Sequence, residues 1–100
     1  MELLTVKEAM VKLNEQLTNA KDKEFGVFVR VYSNGMEQSF ITSAEEIFFE
    51  ENEIIFNEGM MRCEIKFDER GTYRWNESEK GLVYIAPYRM FTASIIFSEN

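Results

Sequence analysis

Histidine is absent from this 100-residue chain. With it go the commonest general base, the commonest zinc ligand, and the Ser-His and Cys-His routes to an activated nucleophile. The single cysteine, Cys63, excludes an internal disulfide and the stapling typical of small secreted domains. Glycine occurs only at positions 26, 35, 59, 71 and 81, never clustered, so no glycine-rich phosphate loop opens a helix and nucleotide binding is disfavoured. The longest uncharged run, Met90 to Ser98, falls far short of the roughly 20 residues of a membrane span. The start, Met1-Glu2-Leu3-Leu4-Thr5, lacks a basic region followed by an apolar stretch. These absences predict a cytoplasmic protein that does not enter a membrane, with no catalytic residue, no metal site and no cofactor, and therefore not an enzyme.

Three residual chemistries are weak beside that expectation. Cys63 lies between Arg62 and Glu64; Arg62 could lower its pKa, but a lone strand cysteine usually packs as a small core residue. The cluster Glu50-Glu51-Asn52-Glu53 lacks the alternating ligands and the glycine of a calcium loop. Paired carboxylates of the glycosidase kind have no diagnostic weight when 18 acidic residues are available.

Positive charge is missing from one third of the chain. Residues 31 to 61 contain no Lys or Arg yet hold Glu37, Glu45, Glu46, Glu50, Glu51, Glu53 and Glu58, and these seven carboxylates account for the net charge of −7. Direct binding to a nucleic-acid backbone through this segment would be repulsive, whereas a basic protein would be attracted.

What the chain does have is 45% apolar residues, nine Phe among them, enough for one core but not two. Residues 1–100 are read as a single α+β domain. Leu3, Val6, Met10, Leu13, Leu17 and Ala20 recur at three- and four-residue steps and predict an amphipathic helix over about 5–20. Thr5 and Glu8 have capping-box spacing at its start. Phe25 to Ser33 is a β-rich run entering Asn34-Gly35, the strongest short hairpin signal. A two-residue loop sets Ser33 opposite Met36, Val31 opposite Gln38, Val29 opposite Phe40 and Phe28 opposite Ile41. Val27, Val29, Val31, Met36 and Phe40 then face the core. Phe28, Arg30, Tyr32, Glu37, Ser39 and Ile41 form a mixed outer face.

Ser43 with Glu46 would permit a short helix, but Ile47-Phe48-Phe49 and Ile54-Ile55-Phe56 favour a second hairpin turning at Glu51-Asn52. Further strands are read at Met61–Phe67, Thr72–Trp75, Leu82–Ala86 and Met90–Phe97, with turns at Asp68–Gly71, Asn76–Gly81 and Pro87. The architecture expected is an N-terminal helix packed on a curved, mostly antiparallel meander sheet of about 7–8 short strands, with a partly open barrel as the variant.

The second hairpin supplies the candidate site. Ile47, Phe49, Ile54 and Phe56 share one face; Glu46, Phe48, Glu50, Glu53 and Ile55 share the other. An apolar spot, Phe48 with Ile55, is thus rimmed by carboxylates, with Glu50 opposite Glu53. An apolar centre with a charged rim is a common interface design, and one sign of charge selects a basic partner. The bland reading is that the carboxylates only keep the protein in solution and Phe48 and Ile55 are covered by neighbours. The functional expectation is an acidic protein-binding module, of the size and charge of small inhibitors and immunity-type proteins, that engages a basic, nucleic-acid-handling protein. Two others stand beside it: a small-molecule binder with a pocket between helix and sheet, and a structural homo-oligomer subunit. The outer face of the first hairpin, Phe28, Tyr32 and Ile41, would suit a homodimer contact.

Overall fold

In the computed structural model, which describes residues 2–23 and 26–98, the helix begins where the capping box sets it. The Thr5 N–H donates to Glu8 Oε1 at 3.0 Å and the Glu8 N–H to Thr5 Oγ1 at 3.2 Å. Helix α1 runs Val6–Lys23 and buries Ala9, Met10, Leu13, Leu17 and Ala20, a stripe at the 3.6-residue period. Each large member of that stripe contributes about 1.5–3 kcal/mol by leaving water.

Among the described residues nine strands accompany it: β1 (Glu2–Leu4), β2 (Gly26–Ser33), β3 (Met36–Ser43), β4 (Ile47–Glu50), β5 (Glu53–Glu58), β6 (Met61–Lys66), β7 (Thr72–Asn76), β8 (Gly81–Ile85) and β9 (Thr92–Ser98). They form a six-stranded sheet in the order β1-β7-β8-β9-β2-β3 and a separate three-stranded sheet β4-β5-β6. Every described pairing is antiparallel, as short connections require.

Residues opposite one another in antiparallel strands share a face. One face of the large sheet therefore carries Val29, Ile95, Leu82 and Trp75 in one row and Tyr73, Tyr84 and Ala93 in the next. All are buried. Helix α1 lies along this face, and the inner residues of the small sheet, Ile47, Ile54, Phe56 and Ile65, join the same core cluster. Phe40 of β3 meets Phe56 of β5 edge to face at 5.6 Å, linking the two sheets.

The hairpin register holds at every expected pair: Ser33 with Met36, Val31 with Gln38, Val29 with Phe40 and Phe28 with Ile41. Asn34 and Gly35 sit at φ 51° and 78°, as a type I′ turn demands. Over 43–57 the preferred hairpin forms from Ile47 onward: Ile47 pairs with Phe56 and Glu50 with Glu53. Ser43 makes no cap hydrogen bond, and only a 3₁₀ turn, Ala44–Glu46, precedes β4.

Four expectations need correction. Among the described residues the strands divide between two sheets and form no closed barrel, because β2 pairs with β9 rather than continuing a single meander. A strand precedes the helix: Leu3, assigned to the helical stripe, lies in β1 and is 69% exposed, while Leu4 is buried against the core. Met36, assigned to the core, is 77% exposed, because the hairpin tip extends beyond the helix and small sheet that cover its base. Met90 belongs to the turn before β9. Phe25, the expected start of β2, lies outside the described residues.

Candidate protein-binding surface

The outward face of the small sheet is built in rows. Phe48, Ile55 and Glu64 are opposite one another across β4, β5 and β6, and Glu50, Glu53 and Lys66 form the adjacent row. Phe48, Ile55, Glu50 and Glu53 are thus brought together as their alternation implies, with Glu46 in the turn entering β4. Phe48 is 51% exposed, so a large aromatic stands half out of the surface among carboxylates. Ile55 is only 8% exposed. It stands between Phe48 and Glu64 in the row, so the exposed apolar spot is essentially the Phe48 side chain.

Sequence proximity misses what β6 contributes. Antiparallel pairing sets Lys66 opposite Glu53 and Arg62 opposite Asn57, so basic groups do border the acidic segment. Arg62 is engaged by Glu64, with Nη2 to Oε1 at 2.6 Å. The surface is consequently asymmetric: ion-paired along β6, acidic along β4 and its flanking turns. Among the described residues Glu45, Glu46, Glu50, Glu51 and Glu53 form no salt bridge. A hollow beside the β4–β5 turn is lined by Glu50, Glu51, Asn52, Glu53, Lys66 and Phe67. Among the described residues no three His, Cys, Asp or Glu side chains converge so as to hold a metal ion.

Cys63 lies on the inner side of β6 opposite Phe56 and packs against the core. Burial pushes its thiol pKa up, and the Glu64 carboxylate adds to the rise. Arg62, the neighbour able to lower a thiol pKa, is held by Glu64 instead.

A cluster of polar contacts holds the joint between the sheets. The Asp68 N–H donates to Tyr84 Oη at 3.0 Å, Tyr73 Oη donates to the Asp68 carbonyl at 2.6 Å, and the Gly71 N–H reaches the same carbonyl at 2.9 Å. Arg70 clasps the Asp68 carboxylate through Nε and Nη2, and these bonds lower its pKa to about 2. Tyr73 and Tyr84 stack at 4.9 Å, and burial drives the Tyr73 hydroxyl pKa upward. A side chain at position 71 would meet Tyr84 Cε1 at 2.5 Å and the Ile85 carbonyl at 2.9 Å, so only glycine fits. These groups brace the turn.

A second surface lies at the tips of the large sheet. Pro87 to Met90 forms a tight turn with Tyr88 and Arg89 at φ 58° and 54°, a conformation that non-glycine side chains enter at a cost of about 1–2 kcal/mol each. Tyr88 and Met90 are exposed beside the hairpin tip, joined to it by Ser33 Oγ donating to the Met90 carbonyl at 3.1 Å. The lone proline announced a turn here, but nothing in the local composition announced left-handed Tyr and Arg.

The class defined by these observations is an α+β domain, one helix and two antiparallel sheets sharing a core, with an acidic hairpin flank. Comparison with protein-family models, curated proteins and solved structures finds no match to the chain. No helix among the described residues is long and apolar enough to cross a membrane.

Proposed function

We propose that this chain is a non-enzymatic, acidic protein-binding module that docks a basic protein along β4. A protein that handles nucleic acid is the favoured partner, because its binding groove is lined with the cations that β4 and its turns lack. The observation that carries the reading is Phe48, half exposed between Glu46 and Glu50, with no salt bridge to either carboxylate among the described residues. An aromatic anchor supplies contact area at low entropic cost, and unpaired carboxylates of one sign speed encounter with a cationic surface. Glu46, Phe48, Glu50 and Glu53 are the contact residues proposed; Ile55 supports Phe48 from beneath. An inhibitor or immunity-type role, in which the acidic flank occupies the partner's nucleic-acid groove, follows from the same chemistry.

A pocket between helix and sheet has less support, because Leu13, Leu17, Trp75, Tyr73 and Tyr84 fill that space.

The test is affinity capture from a lysate of the source cells, comparing the native chain with the Glu46→Gln, Glu50→Gln, Glu53→Gln triple variant and with Phe48→Ser at low and high salt. The expected result is a basic protein held by the native chain, released by salt, and lost from both variants. Identical retention by all three forms would overturn the proposal.

A further inference from the structure

The large sheet ends on an edge strand that lacks the usual devices against pairing. Exposed edges present unpaired N–H and C=O groups, and folded proteins protect them by brevity, charge, proline or bulges. Three of the four edges here conform. β1 is only three residues long. β4 is short and carries Glu50, and β6 carries Arg62, Glu64 and Lys66. β3 does not conform: it runs eight residues, contains no proline and no lysine, and pairs with β2 without a break or bulge. Its one charge, Glu37, is neutralised within the chain by Arg30 Nε at 3.0 Å. Met36, Glu37, Gln38 and Ser39 are all exposed, so both faces of this stretch are open to solvent. A hollow under the tip, lined by Val31, Met36 and Gln38 among others, leaves room on the inner side.

We propose that the free edge of β3 pairs with the same edge of a second copy of this chain, antiparallel and about a two-fold axis close to Ser39. The hydrogen-bond phase follows from the turn. In a two-residue hairpin Ser33 and Met36 exchange both backbone bonds, so the N–H and C=O of Glu37, Ser39 and Ile41 point to the open edge. With Ser39 opposite its symmetry mate, Glu37 falls opposite Ile41 and Gln38 opposite Phe40, and about six backbone hydrogen bonds form. No like charges meet, which is what favours a second copy as occupant. Glu50 and Glu53 lie in the other sheet, and Glu45 and Glu46 follow the end of β3 in the 3₁₀ turn, outside the paired stretch. Exposed Tyr32 and Ile41 on the outer face, and Met36 on the inner face, flank the joint. An edge of this length, about 27 Å, buries an area at the low end of specific interfaces, so the dimer is weak and concentration-dependent. Because each copy carries −7, salt screens their repulsion and strengthens the dimer. That is the opposite of its effect on an acidic–basic complex, so this inference is independent of the β4 reading.

The test is sedimentation equilibrium of the full chain over about a hundred-fold concentration range reaching the high micromolar, at low and high salt. Two variants accompany the native chain. Ser39→Pro removes an N–H that points to the open edge and leaves the β2–β3 ladder intact. Ser39→Glu sets a carboxylate opposite Arg30 of its own chain but opposite its own mate across the axis. The expected result is a native mass rising from 11.8 kDa toward twice that value, more so in high salt. Both variants should associate at least about ten-fold more weakly. Thermal unfolding of Ser39→Glu should match the native chain, so it decides the matter should the proline disturb the fold. A native mass of 11.8 kDa throughout would overturn the proposal. So would a dimer that persists in a folded Ser39→Glu variant, since association would then use another surface. Capture of an extended segment of a different protein, with the native chain monomeric, would overturn it in favour of that occupant.

Discussion

The β2–β3 and β4–β5 hairpins share a construction, antiparallel strands joined by two-residue turns, but they differ in what covers them and in what their charges do. β4–β5 buries most of its inner face, with Ile47, Ile54 and Phe56 essentially inaccessible and Phe49 partly buried, and leaves an acidic flank in water. β2–β3 is buried only at its base, at Val27 and Val29; toward the tip Val31 is half-buried and Met36 exposed. Alternation of apolar and polar residues therefore fixed pairing in both but burial in only one. Alternation says which side chains share a face. Whether that face is covered depends on how far the helix and the other sheet reach, a long-range fact.

The largest expected effect separates the two inner faces. Phe56→Ala empties a fully buried site and breaks the edge-to-face contact with Phe40, and should cost about 3–5 kcal/mol. Met36→Ala, at a position of the same apparent kind in the sequence, should change stability by no more than about 0.5 kcal/mol. Urea unfolding of both variants checks this, and a Met36 effect comparable to that of Phe56 would erase the distinction.

The turns sharpen the contrast at a smaller scale. The β2–β3 turn places Asn34 and Gly35 in the left-handed region, whereas the Pro87–Met90 turn places Tyr88 and Arg89 there. Replacing Tyr88-Arg89 by Asn-Gly should raise stability by about 1–2 kcal/mol, since the new residues accept this backbone without the Cβ penalty. Gly35→Ala should lower it by about 1 kcal/mol through φ alone, as its Cβ would meet nothing within 4 Å. Midpoints of thermal unfolding measure both. If the Asn-Gly replacement also removes a surface activity, the strained turn is there to display Tyr88.

How legible all this is from sequence follows the range of the interaction. The capping box, the Asn-Gly register and the β4–β5 hairpin rest on contacts within a few residues, and all were readable. The two-sheet division, β1 and the approach of Lys66 to Glu53 depend on strands that pair from distant parts of the chain, and no local pattern carries them. Leu3 and Leu4 show the difficulty in miniature: both suit a helix by composition, yet Leu4 is drawn into β1 by pairing with Tyr73. The candidate site was legible as a face, since Phe48, Ile55, Glu50 and Glu53 alternate correctly. Its asymmetry was not.

Charge on the acidic flank gives a smaller, testable effect. Glu50 and Glu53 oppose each other directly, and like charges in that position oppose folding. Glu50→Gln should therefore raise stability by about 0.2–1 kcal/mol at low ionic strength. The gain should shrink as salt screens the pair. Unfolding measured with and without added salt checks the sign; a loss of stability would mean that Glu50 has a favourable partner.

Acid distinguishes this repulsive pair from the carboxylate at the joint between the sheets. Asp68 is held by Arg70, and its pKa falls from 3.8 to about 2 on folding. A carboxylate whose folded pKa is depressed adds stability that is present above its unfolded value and disappears as pH falls through the folded one. The window here is therefore from about pH 4 down to about pH 2, and the effect is small because the pair is open to solvent. Asp68→Asn should lose that increment at neutral pH and show a flatter decline in stability across the window than the native chain. Urea midpoints at pH 5, 4, 3 and 2 would reveal it. Parallel native and variant curves would mean that Arg70 contributes nothing through this carboxylate. The turn would then be held by the backbone bonds of Asp68 to Tyr73, Tyr84 and Gly71 alone.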